Sequence, residues 1–193
     1  MKKLILAAAL AASAAPALAH TGHGATSGLV HGLMHPIFGL DHLLAMLAVG
    51  LWSGFVFSRN VWAGAAAFMG AMVAGAAMSW SGVPIPGVEG LIAASVLVFG
   101  ALTIFAHAGQ ARVMTGLSLA AIAGFGLCHG HAHATEASGA AMAYLAGFLL
   151  STGALHLAGI LIARGVAGAR GARAMRGAAG AAIAASGAWL VSG

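Results

Sequence analysis

The sequence predicts an all-α integral membrane protein, a compact bundle of six transmembrane helices that follows a cleavable signal peptide. Composition is the first reason: 61% of the 193 residues are hydrophobic and only 6% are charged, far less charge than the surface of a soluble domain carries. The second reason is that apolar runs long enough to cross a bilayer recur along the chain. We find no soluble domain, nucleotide-binding loop or nucleophile elbow in the sequence.

The N-terminus has the three parts of a secretory signal. Two lysines follow the first methionine, LILAAALAASAA is a short apolar core, and Ala17-Leu18-Ala19 is an A-x-A cleavage site. We expect residues 1–19 to be removed, and an uncleaved first helix is the alternative. The remaining domain, residues 20–193, then begins outside the cytoplasm, where the free amine with His20 and His23 can chelate a divalent metal. These two histidines are auxiliary candidates, because such tails are often only disordered.

Six apolar segments after the signal are long enough to be membrane helices. They cover residues 36–57, 61–80, 89–107, 113–128, 142–162 and 175–191. The fourth segment is short and can continue into a histidine-rich stretch, and the sixth consists mostly of alanine and glycine. Glycines recur within alanine runs of the second and sixth segments, a pattern that lets membrane helices approach closely.

The arginines follow the expected membrane topology. They lie in three of the connections, at Arg59, Arg112, Arg164, Arg170, Arg173 and Arg176. By the positive-inside rule these connections face the cytoplasm, so the mature N-terminus, the histidine-rich connection and the C-terminus are periplasmic. A cleaved signal peptide requires the same location for the N-terminus. We therefore expect a multi-pass protein of the bacterial inner membrane, and its formal charge of +5 forms no patch for nucleic acid.

The first apolar segment opens with ligand-type residues, in HPIFGLDHLLAMLAVG, residues 35–50. Proline favours the first turn of a helix, so we place His35 at or just before the start of a helix that begins at Pro36. Asp41 and His42 then lie about 8 to 9 Å inside, and the spacing of seven residues puts His35 and His42 on one face. An intramembrane carboxylate is costly unless paired. This pattern indicates either a metal site or a structural Asp–His pair between two helices.

The second group of ligand-type residues is CHGHAHATE, residues 128–136. If this stretch is helical, His129 and His133 share a face, as do His133 and Glu136. If it is extended, His129, His131 and His133 all share a face. Either geometry can offer several imidazoles to a metal, and a solvated polar loop is the alternative.

A further histidine, His156, lies deep in the fifth segment, about 20 Å from its outer end. It is either another metal ligand or a buried histidine bonded to a neighbouring hydroxyl or carbonyl. Imidazole combined with carboxylate suits Ni(II), Co(II) or Zn(II), whereas Cu(I) prefers soft thiolates. The single cysteine, Cys128, provides neither a thiolate cluster nor a disulfide.

The two histidine motifs resemble the signatures of the HupE/UreJ family. HPIFGLDHLLAMLAVG resembles H-P-x-x-G-x-D-H with an apolar run that ends in glycine, and CHGHAHATE resembles a His-Gly-His-Ala-His segment followed by glutamate. The signal peptide and the six spans extend the likeness over essentially the whole chain. By this resemblance, the metal-handling residues are His35, Asp41, His42, His129, His131, His133 and Glu136.

The resemblance implies a permease for nickel, sometimes cobalt, that serves hydrogenase or urease maturation and is not an enzyme. Our leading hypothesis is inward transport of Ni(II) across the inner membrane, with the two motifs forming the site and His156 receiving the ion lower down. The transported ion is then the substrate, and no prosthetic group is expected. A second functional hypothesis is a non-transporting membrane protein that buffers or senses metal at the periplasmic face. A third hypothesis is a membrane enzyme or electron carrier with a histidine-ligated metal or haem.

Overall fold

The chain folds into seven α-helices in the part that the computed structural model describes, residues 25–137 and 140–192. The helices are α1 (Ala25–Phe38), α2 (Leu40–Val56), α3 (Ala63–Trp80), α4 (Val88–Phe105), α5 (Arg112–Glu136), α6 (Ala141–Val166) and α7 (Ala172–Ser192). The expected signal peptide, residues 1–19, and both His20 and His23 lie outside the described residues. The all-α class predicted from composition is confirmed.

Four of these helices, α3 to α6, are each long and apolar enough to cross a membrane. The pair α1 and α2 provides a fifth span if the two are taken together as one bent span. The last helix, α7, covers the sixth predicted segment, but its many alanines and glycines, with Arg173 and Arg176 near its start, leave it less apolar. The described helices are compatible with six spans, and that number stays a prediction.

The predicted start of the first membrane helix is wrong. Pro36 does not begin a helix but lies buried inside α1, which ends at Phe38 and is bent by 77° relative to α2. The residue between them, Gly39, has extended backbone angles, φ −80° and ψ 113°. Proline lacks the N–H that a helix interior requires, which weakens this last turn, and a proline–glycine pair is a common cause of a sharp kink. His35 therefore belongs to the last turn of α1.

The predicted end of the fourth segment, at residue 128, is also too early. Helix α5 continues to Glu136 and includes the whole His-Gly-His-Ala-His stretch. Of the two geometries considered for this stretch, the helical one is therefore correct, and the connection to α6 is short. The three histidines in it are buried against other helices instead of lying in a solvated loop.

Four close helix contacts build the bundle: α3 packs on α5, α4 packs on α7, and α6 packs on both α1 and α2. The contact between α3 and α5 depends on Gly130, because a Cβ at this position would overlap the backbone carbonyl of Met72. Small residues allow such close approach of membrane helices. Gly130 lies between His129 and His131 in the chain, so this contact sets the height and rotation of the histidine motif against α3.

Two arginine side chains form hydrogen bonds between neighbouring chain segments at one end of the bundle. The guanidinium of Arg164 donates hydrogen bonds to the carbonyls of Phe57 and Ser58, at 3.3 and 3.0 Å. Arg176 donates one to the carbonyl of Ile104, at 3.2 Å. The arginine-bearing connections thus lie together, as the positive-inside prediction requires. The side of the membrane that this end faces stays a prediction.

Candidate metal-binding site

Three imidazoles from three helices converge where α1 meets α2. They belong to His35 in the last turn of α1, His42 in the first turn of α2, and His133 near the end of α5. One ring nitrogen of each lies within 4.8 Å of the others. The ring of His133 is 4.6 Å from that of His35 and 4.4 Å from that of His42, between centroids. His42 and His133 are buried, and His35 is half-buried.

The break at Gly39 makes this convergence possible. On a straight helix, His35 and His42 would lie about 10 Å apart along the axis. At that separation the two rings would not be neighbours, whereas metal–imidazole bonds are only about 2 Å long. The bend of 77° folds α1 back over the start of α2 and brings the two ring centroids to 5.3 Å. Discontinuous helices of this kind form substrate sites in many transporters.

Asp41 holds the ring of His42 from behind. Its Oδ1 accepts a hydrogen bond of 2.5 Å from Nδ1–H of His42 and another of 2.9 Å from the His42 backbone N–H. Asp41 lies in the first turn of α2, where the helix dipole favours a negative charge. Because Nδ1 carries the proton, Nε2 of His42 keeps its lone pair, as metal-binding histidines with a carboxylate partner commonly do.

The lone pair on Nε2 of His42 points at Nε2 of His133, and these two atoms are in direct contact. Two bare imidazole nitrogens repel each other, so either a proton or a cation has to lie between them. The ring of Phe148 packs against all three imidazoles. Its centroid is 4.5 Å from that of His133, 6.0 Å from that of His35 and 6.2 Å from that of His42. The donor set therefore fits a transition-metal ion in an apolar surrounding.

His129 lies one helical turn below His133, on the same face of α5. It is fully buried, and its ring centroid is 4.9 Å from that of His42. The hydroxyl of Ser95 donates to the carbonyl of Ile92 at 2.6 Å, so its oxygen accepts the proton of His129 Nε2 at 3.1 Å. This contact assigns the proton to Nε2 and leaves Nδ1 of His129 with a lone pair.

The chain is similar to known proteins over most of its length. A family model described as HupE / UreJ protein matches residues 8–190. The chain belongs to the HupE/UreJ family. Protein HupE of Rhizobium leguminosarum bv. viciae is 37% identical over 166 residues, which cover 84% of this chain and 85% of that protein. No solved structure matches the chain.

Membership in the HupE/UreJ family confirms the resemblance drawn from the two motifs, both of which lie within the matched residues. Together with the apolar helices, it identifies the chain as a multi-pass membrane protein. The metal roles of the individual residues are not settled by this membership and stay predictions.

Among the described residues of the second motif, only His133 belongs to the three-histidine cluster. His129 lies one turn below it, and His131 points away from it. His131 lies between two residues that face the cluster, so the helical rotation turns it away, and its Nε2–H donates a hydrogen bond of 2.7 Å to the carbonyl of Val83. This bond ties α5 to the α3–α4 connection. Glu136 is the last residue of α5, and its side chain lies outside the described part of the structure.

Sequence reasoning missed three contributors to the site. Gly39 makes the bend, Ser95 orients His129, and Phe148 packs against the imidazoles. For Gly39 a signal was present, because a glycine three residues after a proline in an apolar run is typical of a break. Nothing local marks Ser95 or Phe148, which reach the site only through tertiary packing.

Proposed function

We propose that this HupE/UreJ family protein is a secondary-type permease that carries Ni(II) inward across the bacterial inner membrane for the maturation of hydrogenase or urease. Cobalt is the alternative ion. The observation that carries the proposal is the convergence of His35, His42 and His133 at a break in a membrane helix. The process moves an ion and makes no covalent bond, so it requires neither a catalytic residue nor a prosthetic group.

The donor set supports a first-row transition metal. Imidazole nitrogen suits nickel, cobalt, copper and zinc, whereas calcium and magnesium prefer oxygen ligands. Asp41 places one negative charge beside three neutral rings, which offsets part of the charge of a divalent ion. Three protein ligands leave coordination positions for water, and a transport site has to bind its ion weakly enough to release it.

The location of the cluster supports access from the predicted periplasmic side. A small cavity of about 10 Å³ adjoins His133 and is lined by Trp80, Ala137 and Tyr144, among others. Trp80 ends α3 and Ala137 follows α5, so this cavity lies toward the end of the bundle opposite the arginine-bearing connections. Among the described residues that line this cavity, His133 is the one histidine.

Purified protein in liposomes tests the proposal. We expect wild-type protein to carry Ni(II) to a metal-sensitive dye inside the vesicles, and His133→Ala to reduce the flux to that of protein-free vesicles. His131→Ala is the matched control, because it removes an imidazole from the same motif outside the cluster. Binding of Ni(II) to the wild-type protein without flux would instead favour a metal-binding accessory protein.

A further inference from the structure

A second group of buried polar side chains lies deeper in the bundle, on α6. His156 and Thr152 are one helical turn apart, and neither side chain has any exposed surface. Among the described residues, neither ring nitrogen of His156 has a hydrogen-bond partner, and the hydroxyl of Thr152 has none either. Buried polar groups are nearly always paired, and unpaired ones within a membrane are costly and mark functional sites by default.

The depth of this group relative to the three-histidine cluster follows from two helices. On α6, Phe148 packs against His133, and His156 lies eight residues further on. On α2, Gly50 packs against the backbone of His156, and Gly50 lies eight residues after His42. Eight residues correspond to about 12 Å along the axis of each helix. His156 is thus separate from the cluster and closer to the arginine-bearing end.

His129 lies between the two levels. It is one turn, about 6 Å, below His133, and its ring contacts that of His42. The ring of Phe68 packs 5.2 Å from His129 and 5.3 Å from His156. Nδ1 of His129 has a lone pair and no hydrogen-bond partner among the described residues. Nδ1 of His129 is therefore a buried ring nitrogen with a free lone pair, and it lies between the cluster and His156.

We propose that His156 and Thr152 form a second, inner binding station for the same divalent cation, reached from the three-histidine cluster by way of Nδ1 of His129. This inference rests on the proposed function. One imidazole and one hydroxyl, completed by water, bind a transition-metal ion more weakly than three imidazoles do. A weaker inner station favours onward release, and conduction through several sites of moderate affinity is how ions pass through membrane proteins. The Phe68 ring contacts both His129 and His156, so it has to move when an ion passes between them.

Equilibrium dialysis of the purified full-length protein against Ni(II), combined with flux into liposomes, tests the inner station. We expect wild-type protein to bind two ions per chain with different affinities. His156→Leu should bind one ion at the higher affinity, and its flux should fall at least about tenfold, the usual loss when a group that supports a metal site is removed. Thr152→Val keeps the shape of the side chain and should weaken only the second ion. Ser151→Ala, which removes a buried hydroxyl from the neighbouring position, is the control and should retain both ions.

The outcomes separate this inference from the proposed function. If His156→Leu and Thr152→Val both retain the wild-type stoichiometry and flux, the inner station is wrong and the outer site stands. If wild-type protein binds a single ion that only His133→Ala removes, the inner station is equally wrong. If wild-type protein binds no Ni(II) at all, the proposed function itself fails. Should His156→Leu not reach the membrane, the isosteric Thr152→Val variant decides, because its packing is unchanged.

Discussion

Nδ1 of His42 donates a hydrogen bond of 2.5 Å to Oδ1 of Asp41, the residue that precedes it in the first turn of α2. The same oxygen accepts the backbone N–H of His42. One carboxylate oxygen thus accepts hydrogen bonds from both the ring and the backbone of His42, a member of the three-histidine cluster. In this geometry Asp41 orients the ring of His42 and directs its Nε2 into the cluster, toward His133.

Replacing Asp41 by asparagine should abolish nickel accumulation in cells while the protein still reaches the membrane. The amide has nearly the same shape but no charge, so it neither offsets the charge of the ion nor strengthens His42 as a ligand. Loss of such a supporting carboxylate typically costs about 10- to 100-fold in metal affinity or activity. Nickel content of cells, normalised to the amount of protein in the membrane fraction, is the measurement. Accumulation at the wild-type level would contradict the role given to Asp41.

Replacing Gly39 by alanine should weaken nickel binding about tenfold, as for other groups that support a metal site. An extended backbone accepts any residue, but a Cβ at Gly39 would lie 2.9 Å from Nδ1 of His42 and 3.1 Å from Oδ1 of Asp41. The added methyl group therefore displaces the hydrogen-bonded pair of Asp41 and His42, in which Asp41 orients the His42 ring. The affinity of purified protein for Ni(II) measures the effect. Gly90→Ala, on α4 with no atom near the added methyl group, is the control and should bind normally.

Replacing Gly130 by alanine should lower the stability of the protein. The added methyl group overlaps the Met72 carbonyl, so α3 and α5 have to separate. Overpacking of this kind costs about 1 to 3 kcal/mol. Thermal unfolding in detergent measures the loss, and Gly124→Ala on the open side of the same helix should unfold like the wild type. Equal midpoints for the two variants would argue against the close contact of α3 with α5.

Competition between ions should follow the chemistry of the nitrogen donors. We expect Co(II) to compete with Ni(II) for uptake less effectively than unlabelled Ni(II) does, because affinity at such sites rises from cobalt to nickel. An excess of Mg(II) should have no effect, since magnesium prefers oxygen ligands and keeps its waters. Uptake of labelled nickel into liposomes in the presence of each competitor is the measurement. Strong inhibition by Mg(II) would show that oxygen donors dominate the site.

The sequence predicted the helical membrane class and both groups of ligand-type residues, because composition and apolar run length carry that information directly. The predicted start of the first helix is wrong, because proline is common in the first turn of a helix whereas Pro36 lies in the last turn of α1. The difference matters for the site. On the predicted straight helix His35 and His42 share a face but lie two turns apart, whereas the bend at Gly39 makes their rings neighbours.

The sequence could not choose among the histidines of the second motif, because their roles depend on whether the stretch is helical and how it packs. Gly130 against Met72 sets the rotation of α5, which turns His129 and His133 inward and His131 toward Val83. The partners of His129 and His156 come from other helices, at Ser95 and Phe68. Such tertiary contacts leave no local pattern in the sequence.

X-ray absorption at the nickel K edge of purified protein, loaded with fewer than one ion per chain, tests the central claim most directly. The account predicts nitrogen and oxygen ligands, with the multiple scattering of three imidazoles, and a loss of one imidazole in each of His35→Ala, His42→Ala and His133→Ala. His131→Ala should leave the spectrum unchanged. A sulfur ligand in the wild-type spectrum, or a spectrum that none of the three cluster variants alters, would contradict the claim that these imidazoles hold the ion across the helix break.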